Sequence, residues 1–203
     1  MNAIRNRHRK LAVAAARRAT EMDPVIFDTE TTGLGNSAEI VELSCVDLDG
    51  TVLLDTLVCP TRPIPEGATQ IHGISNEDVV GAPLIGDLID YVDELFRGRL
   101  VVAYNLAYDL RMISQSLRSF GLTGRPHQEW GKIAYETSWG PGLCAMRTYS
   151  HWHGEWNYSK RGYRWHKLDQ AARLLKVEFP QPQHRAKSDA LATLGVLREL
   201  AER

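Results

Sequence analysis

Pro24-Val-Ile-Phe-Asp-Thr-Glu-Thr-Thr-Gly33 decides how the rest of the chain is read. Its first part, Pro24-Val-Ile-Phe27, is a short apolar run of the kind that forms a buried central strand. Asp28 and Glu30 follow, two positions apart at the strand's end, so their side chains point to one face. Carboxylates that close repel and raise each other's pKa; a divalent cation bonded to both removes the conflict. Gly33 permits a sharp turn and a close approach of backbone to a ligand.

Outward from this stretch, two further strands are expected near 38–48 and 51–58, joined by the turn signal Asp49-Gly50. Ser75 and Asp78 form an imperfect capping box. Residues 83–97 carry Leu84, Ile85, Leu88, Ile89, Val92, Leu95 and Phe96 at helical spacing. Leu100-Val-Val-Ala103 reads as a second buried strand. Asn105 can cap the next helix, which shows Leu106, Leu110, Ile113, Leu117 and Phe120 on one face. Residues 122–166 read as loop-like and aromatic, Leu168 to Leu175 as helical, and Ser188 to Leu200 as the last helix. Hairpin strands followed by alternating helix and strand suggest an α/β protein, a mixed sheet flanked by helices.

Composition sets the outer bounds. The 203 residues are 43% hydrophobic and 24% charged, enough for one sizeable core. No linker-like stretch splits the chain, so one domain is expected over 23–203, preceded by a basic helical extension over 1–22. That extension is an Ala- and Arg-rich helix with six bases and no acid in its first twenty residues. A solvated helix is the plain reading; an arm touching a partner or nucleic acid, or a transit segment, are the alternatives. Net charge is −1, which leaves an acidic body unlike a duplex-coating protein. No apolar run approaches 18 residues, so no membrane span is expected. Cys45, Cys59 and Cys144 are few and unpaired in sequence, as in reduced cytoplasmic proteins.

Three more titratable residues stand out. Asp109 borders the apolar stripe of its helix and so needs a partner, a salt bridge to Arg111 or Arg125 being the plain one. Asp189 falls in the first turn of the last helix, where the dipole favours an acid, with Ala192, Thr193 and Val196 leaving room beside it. His184 lies five residues upstream on a loop after Pro180 and Pro182, with a pKa range suited to a general base.

Asp28-Thr-Glu-Thr-Thr-Gly33, Tyr104-Asn-Leu-Ala-Tyr-Asp109 and His184-Arg-Ala-Lys-Ser-Asp-Ala190 together resemble the three motifs of the DEDDh (DnaQ-like) 3′–5′ exonucleases, the family of the proofreading subunit of bacterial DNA polymerase III and RNase T. Ile71-His-Gly-Ile74 is similar to a family segment that contacts the substrate's 3′ end. The resemblance implies an RNase H-like αβα fold and two Mg²⁺ or Mn²⁺ ions organised by Asp28, Glu30, Asp109 and Asp189. Asp28 would bridge both ions, Glu30 and Asp189 would bind the first, and Asp109 would act partly through water. His184 would activate the attacking water. Thr31, Thr32, Gly33, His72, Asn105 and Tyr108 would contact substrate. The implied reaction releases nucleoside 5′-monophosphates from single-stranded 3′ ends, DNA before RNA. An RNA-trimming enzyme of the RNase T type and a non-catalytic nucleic-acid-binding module are the alternatives. A polymerase or replication partner and a homodimer are both compatible with it. The chain ends soon after the last helix, so the polymerase-tethering tail of the proofreading subunit is not expected.

The stretch before Leu168 is longer than in the proofreading subunit. It interleaves Trp152, Trp156, Tyr158, Tyr163 and Trp165 with Lys160, Arg161, Arg164 and Lys167. That pattern suits a lip that holds a single strand, or else a locally packed insertion. A zinc site from Cys144, His151, His153 and His166 would have only one compact ligand pair, His151-Trp-His153.

Overall fold

The computed structural model describes residues 2–122 and 142–203. In chain order these form α1 (Asn2–Thr20), β1 (Val25–Thr31), β2 (Ile40–Val46), β3 (Val52–Leu57), α2 (Glu66–His72), α3 (Ile85–Phe96), β4 (Val101–Ala103), α4 (Leu106–Ser119), β5 (Leu143–Cys144), α5 (Ala145–His153), β6 (Trp156–Asn157), β7 (Gly162–Tyr163), α6 (Leu168–Leu175) and α7 (Ala186–Ala201). Five strands make one sheet in the order β3-β2-β1-β4-β5. β1, β2 and β3 pair antiparallel, while β4 lies parallel to β1 and β5 parallel to β4. This is the mixed sheet with flanking helices that the sequence led us to expect, an RNase H-like αβα arrangement.

β1 is central because both of its edges are paired and its apolar residues are sealed: Val25, Ile26 and Phe27 have no exposed surface. The strand does not stop at Phe27. It continues through Asp28, Thr29 and Glu30 to Thr31, since backbone pairing with β2 holds the extended conformation regardless of side-chain charge. A bulge in β2 falls opposite the Glu30–Thr31 step, and bulges of this kind re-aim side chains beside functional sites. On the other side of the sheet, Phe27 meets Phe96 of α3 with ring centroids 5.0 Å apart.

Other expectations need correction. The stretch 122–166 is not simply loop: its described part holds β5, α5 and the β6–β7 hairpin. Two-residue strands leave no periodic signal, and the Trp and His residues of α5 mask a helix whose buried side is Met146, Tyr149 and Ser150. α2 was also missed, seven residues bracketed by Pro65 and Gly73. Asn105 occupies the N-cap position of α4, but its side chain makes no capping bond. Ser75 and Asp78 do bond reciprocally, yet they close a turn rather than start a helix. The N-terminal helix is not solvated all round. α1 packs on α5 and α7, with Ala12, Ala16 and Ala19 fully buried; Arg9 donates to the Trp152 carbonyl and Arg17 to the Ala201 carbonyl, each at 2.7 Å. No helix among the described residues is long and apolar enough to cross a membrane.

Candidate active site

Three elements deliver the acids. β1 supplies Asp28 and Glu30, and the first turns of α4 and α7 supply Asp109 and Asp189. α7 packs across β1 and β2, which sets its N-terminus over the face of β1 that carries the two strand acids. One ligand atom each from Glu30, His184 and Asp189 lies within 4.8 Å of the other two. Asp28 joins this group electrostatically: burial first, then the charges of Asp109, Asp189, Glu30 and Glu42, hold its carboxyl well above the usual range.

The same forces act on the others. Burial, then Asp189, Glu42 and Asp109, push Glu30 up to about 8. Burial raises Asp109 to about 7 against the opposing bonds from Thr29. Burial raises Asp189 to about 6, while His184 works against the rise. Four carboxyls that resist ionisation together are starved of positive charge. Asp189 Oδ1 is buried with no hydrogen-bond partner, a costly state for an acceptor unless a cation or donor completes it. An all-oxygen set with this unmet demand fits hard divalent cations such as Mg²⁺ or Mn²⁺.

Asp109 has a specific anchor. It is 3% exposed, and Thr29 Oγ1 donates to its Oδ1 at 2.8 Å. The salt bridge to Arg111 is not its partner: the Arg111 guanidinium lies over the Tyr108 ring at 5.3 Å. Arg125 falls outside the described residues. His184 is exposed and sits at φ 57°, the left-handed region. Holding a non-glycine residue there costs of order 1–3 kcal/mol and is found where the surroundings over-determine the backbone. Its own N–H also reaches Asp189.

What over-determines it is a pair that sequence reasoning missed. Glu42 of β2 stands directly across from Glu30 and is nearly buried. Arg185 Nε donates to both of its oxygens, at 3.0 and 3.1 Å, Arg185 Nη2 donates to Oε1 at 2.5 Å, and the Ala186 N–H adds a fourth bond at 2.8 Å. Lys187 Nζ reaches Asp55 of β3 at 2.7 Å. The start of α7 is thereby latched to the sheet between His184 and Asp189. The signal was present in the sequence: Glu42 is a lone acid inside the apolar run Ile40-Val-Glu-Leu-Ser-Cys-Val46.

The residues expected at the substrate fall into two groups. Tyr108 and Thr31 share a hydroxyl bond at 2.8 Å, and both hydroxyls reach the Gly33 carbonyl, at 3.1 and 2.9 Å. Gly33 has φ 150° and open space where a Cβ would stand. Thr32 is used internally, accepting from the Glu39 N–H. His72 is 5% exposed, and its Nδ1 accepts from Ile74 N–H at 3.0 Å. Its buried Nε2 has no close hydrogen-bond partner; burial lowers the pKa of the ring, while the Thr31 backbone and the Glu42 charge oppose the fall. Asn105 makes no side-chain hydrogen bond to this group. Of the aromatic segment, Trp152 packs on the core and Trp156 stands edge-on to Tyr163. Tyr158 and Trp165 are 69% and 65% exposed.

Residues 25–197 match the family model RNase_T, described as exonuclease. The chain therefore belongs to the RNase T exonuclease family. It is 42% identical over 187 residues to the uncharacterized exonuclease CP81 of Escherichia phage 186, covering 92% of each chain. It is 27% identical over 103 residues to the DNA polymerase III subunit epsilon of Buchnera aphidicola, 46% of this chain and 44% of that one. Among solved structures, it is similar to Exonuclease X in complex with 5′ overhanging duplex DNA, with a TM-score of 0.60 and 26% identity over 88% of this chain and 91% of the other.

Proposed function

We propose that this exonuclease removes nucleotides from the 3′ end of single-stranded DNA, releasing nucleoside 5′-monophosphates in a reaction that needs two divalent cations. The observation that carries this reading is the convergence of Glu30, His184 and Asp189 within 4.8 Å, with Asp28 and Asp109 coupled to them. DNA is favoured over RNA by the Exonuclease X likeness, whose structure holds DNA.

Asp28, Glu30, Asp109 and Asp189 hold the cations, Mg²⁺ or Mn²⁺. When bound, these ions stabilise charge on the scissile phosphate and acidify the attacking water. His184, exposed at the mouth of the cluster, takes the water's proton as the new O–P bond forms. The P–O3′ bond breaks, and the departing O3′ takes a proton from solvent, leaving the shortened strand with a new 3′ hydroxyl. A positioned base of this kind contributes roughly 10²–10⁴-fold. Arg185 acts as a positioning residue through its grip on Glu42. Gly33, Thr31 and Tyr108 form one wall against the terminal nucleotide, with the buried His72 ring behind Thr31. Free thiols at Cys45, Cys59 and Cys144 suit a reducing, cytoplasmic setting.

The test is digestion of 5′-labelled DNA and RNA oligomers, single- and double-stranded, with Mg²⁺ or Mn²⁺. The expected result is a ladder shortening from the 3′ end of single-stranded DNA, stopped by EDTA. Immediate release of the 5′ label, or digestion indifferent to EDTA, would overturn the reading.

A further inference from the structure

A second group of metal-ligating side chains stands in the insertion, sharing no residue with the carboxylate cluster. His153 closes α5, Glu155 follows Gly154, and His166 lies beyond β7. One ligand atom from each lies within 4.8 Å of the other two. Glu155 Oε2 is 3.1 Å from His166 Nε2 and 3.9 Å from His153 Nε2. Ligand atoms around a tetrahedral zinc, with bonds of about 2.0–2.1 Å, stand roughly 3.3 Å apart, so the two distances bracket that spacing.

Hydrogen bonding alone does not account for the arrangement. His166 can donate to Oε2, but His153 Nε2, 3.9 Å from the same oxygen, is beyond hydrogen-bond reach. The carboxylate is oriented from behind, because Arg164 Nη1 holds its other oxygen at 2.8 Å. The rings are oriented too. Tyr149, fully buried, stacks on His153 at 5.5 Å and 10°, and meets His166 edge-on at 77°. This ring packing holds the two imidazoles in place; His166 Nδ1 is buried without a hydrogen-bond partner, so packing and the Glu155 contact set its direction. Solvent reaches the group from both flanks, through a cleft of 270 Å³ beside His153 and another of 310 Å³ beside Glu155 and His166.

The hairpin gives the site a purpose. β6 and β7 pair through two residues each and belong to a sheet of their own. An isolated two-stranded hairpin is marginal in water. Glu155 and His166 lie on either side of it, eleven positions apart, so a cation joining them to His153 closes the hairpin at its base and ties it to α5. We propose that His153, Glu155 and His166 bind a zinc-type divalent cation that pins the β6–β7 hairpin to the end of α5, with the fourth position left to water.

The proposal stands apart from the nuclease reading, and its test does not use activity. Metal-stripped full chain is titrated with Co²⁺ and followed by visible absorption, where a four-coordinate site with two imidazoles gives far stronger bands than a six-coordinate oxygen site. The expected result is bands that saturate at one equivalent and are displaced by Zn²⁺. They persist in Asp28→Asn and are weakened more than about tenfold in affinity in His153→Gln and in Glu155→Gln. Zn²⁺ also raises the Tm of Asp28→Asn clearly more than that of the Asp28→Asn/His153→Gln double variant. His153 and Glu155 are partly exposed, so both variants are expected to fold, and metal-free Tm values equal to the parent's check this. Absence of strong bands, bands unchanged in both ligand variants, or bands lost in Asp28→Asn would overturn the proposal.

Discussion

Glu30→Gln is expected to stabilise the metal-free protein and to do so increasingly as pH rises. Folding lifts Glu30 from 4.5 to about 8. An acid with a raised folded-state pKa binds more protons folded than unfolded between those values. Stability is therefore whole below about pH 4.5 and is lost as pH climbs towards 8. At about 1.36 kcal/mol per pKa unit, the full loss is of order 4–5 kcal/mol. Much of the shift comes from burial and from neighbours that relax when one charge is removed, so Gln is expected to recover roughly half, about 2 kcal/mol. The assay is urea unfolding in EDTA at pH 5, 6, 7 and 8 for parent and variant. The difference between them should widen with pH, and Mn²⁺ should stabilise the parent more than the variant. A difference that stays flat from pH 5 to 8, or a variant less stable than the parent at pH 8 in EDTA, would refute the reasoning.

Three further outcomes follow from the same geometry. Arg185→Ala leaves Glu42 uncompensated beside other acids; with Arg185 partly exposed, a loss of about 1–3 kcal/mol in stability is expected by urea unfolding, and kcat should fall more than KM rises, with Arg185→Lys intermediate. Thr29→Val removes the bond that aims Asp109; steady-state kinetics should show a fall in kcat of roughly tenfold or more, with stability changed by no more than about 1–2 kcal/mol. His184→Ala should remove the acidic limb of the pH–rate profile, and an unchanged profile would exclude the base role.

The fold was legible where burial and pairing leave a repeating mark. Val25-Ile-Phe27, Val101-Val-Ala103 and the stripes of α3, α4 and α6 are apolar at the period of their element. Elements were missed where length is too short for a period, as in β5 to β7, or where function-like residues replace the expected apolar ones, as in α5. The site was legible in its charged motifs, because carboxylates at the starts of helices and along a buried strand need a reason. Its supports were not. Glu42 and Arg185 are 143 positions apart, and nothing local says that the strand's lone acid meets the arginine inside the last motif. The convergence of His153, Glu155 and His166 was also out of reach. Of the four residues weighed for a zinc site, Cys144, His151, His153 and His166, the structure groups only His153 and His166, with Glu155; the Cys144 thiol donates to the Tyr104 carbonyl at 3.3 Å.

The central claim, that separated acids converge into a pocket for a pair of cations, is tested most directly by counting Mn²⁺ bound per chain. Electron paramagnetic resonance in the presence of a nucleoside 5′-monophosphate, with His153→Gln as the background, reads this without turnover. The account requires two ions per chain, falling to one or none in Asp28→Ala. A count that Asp28→Ala leaves untouched would contradict it.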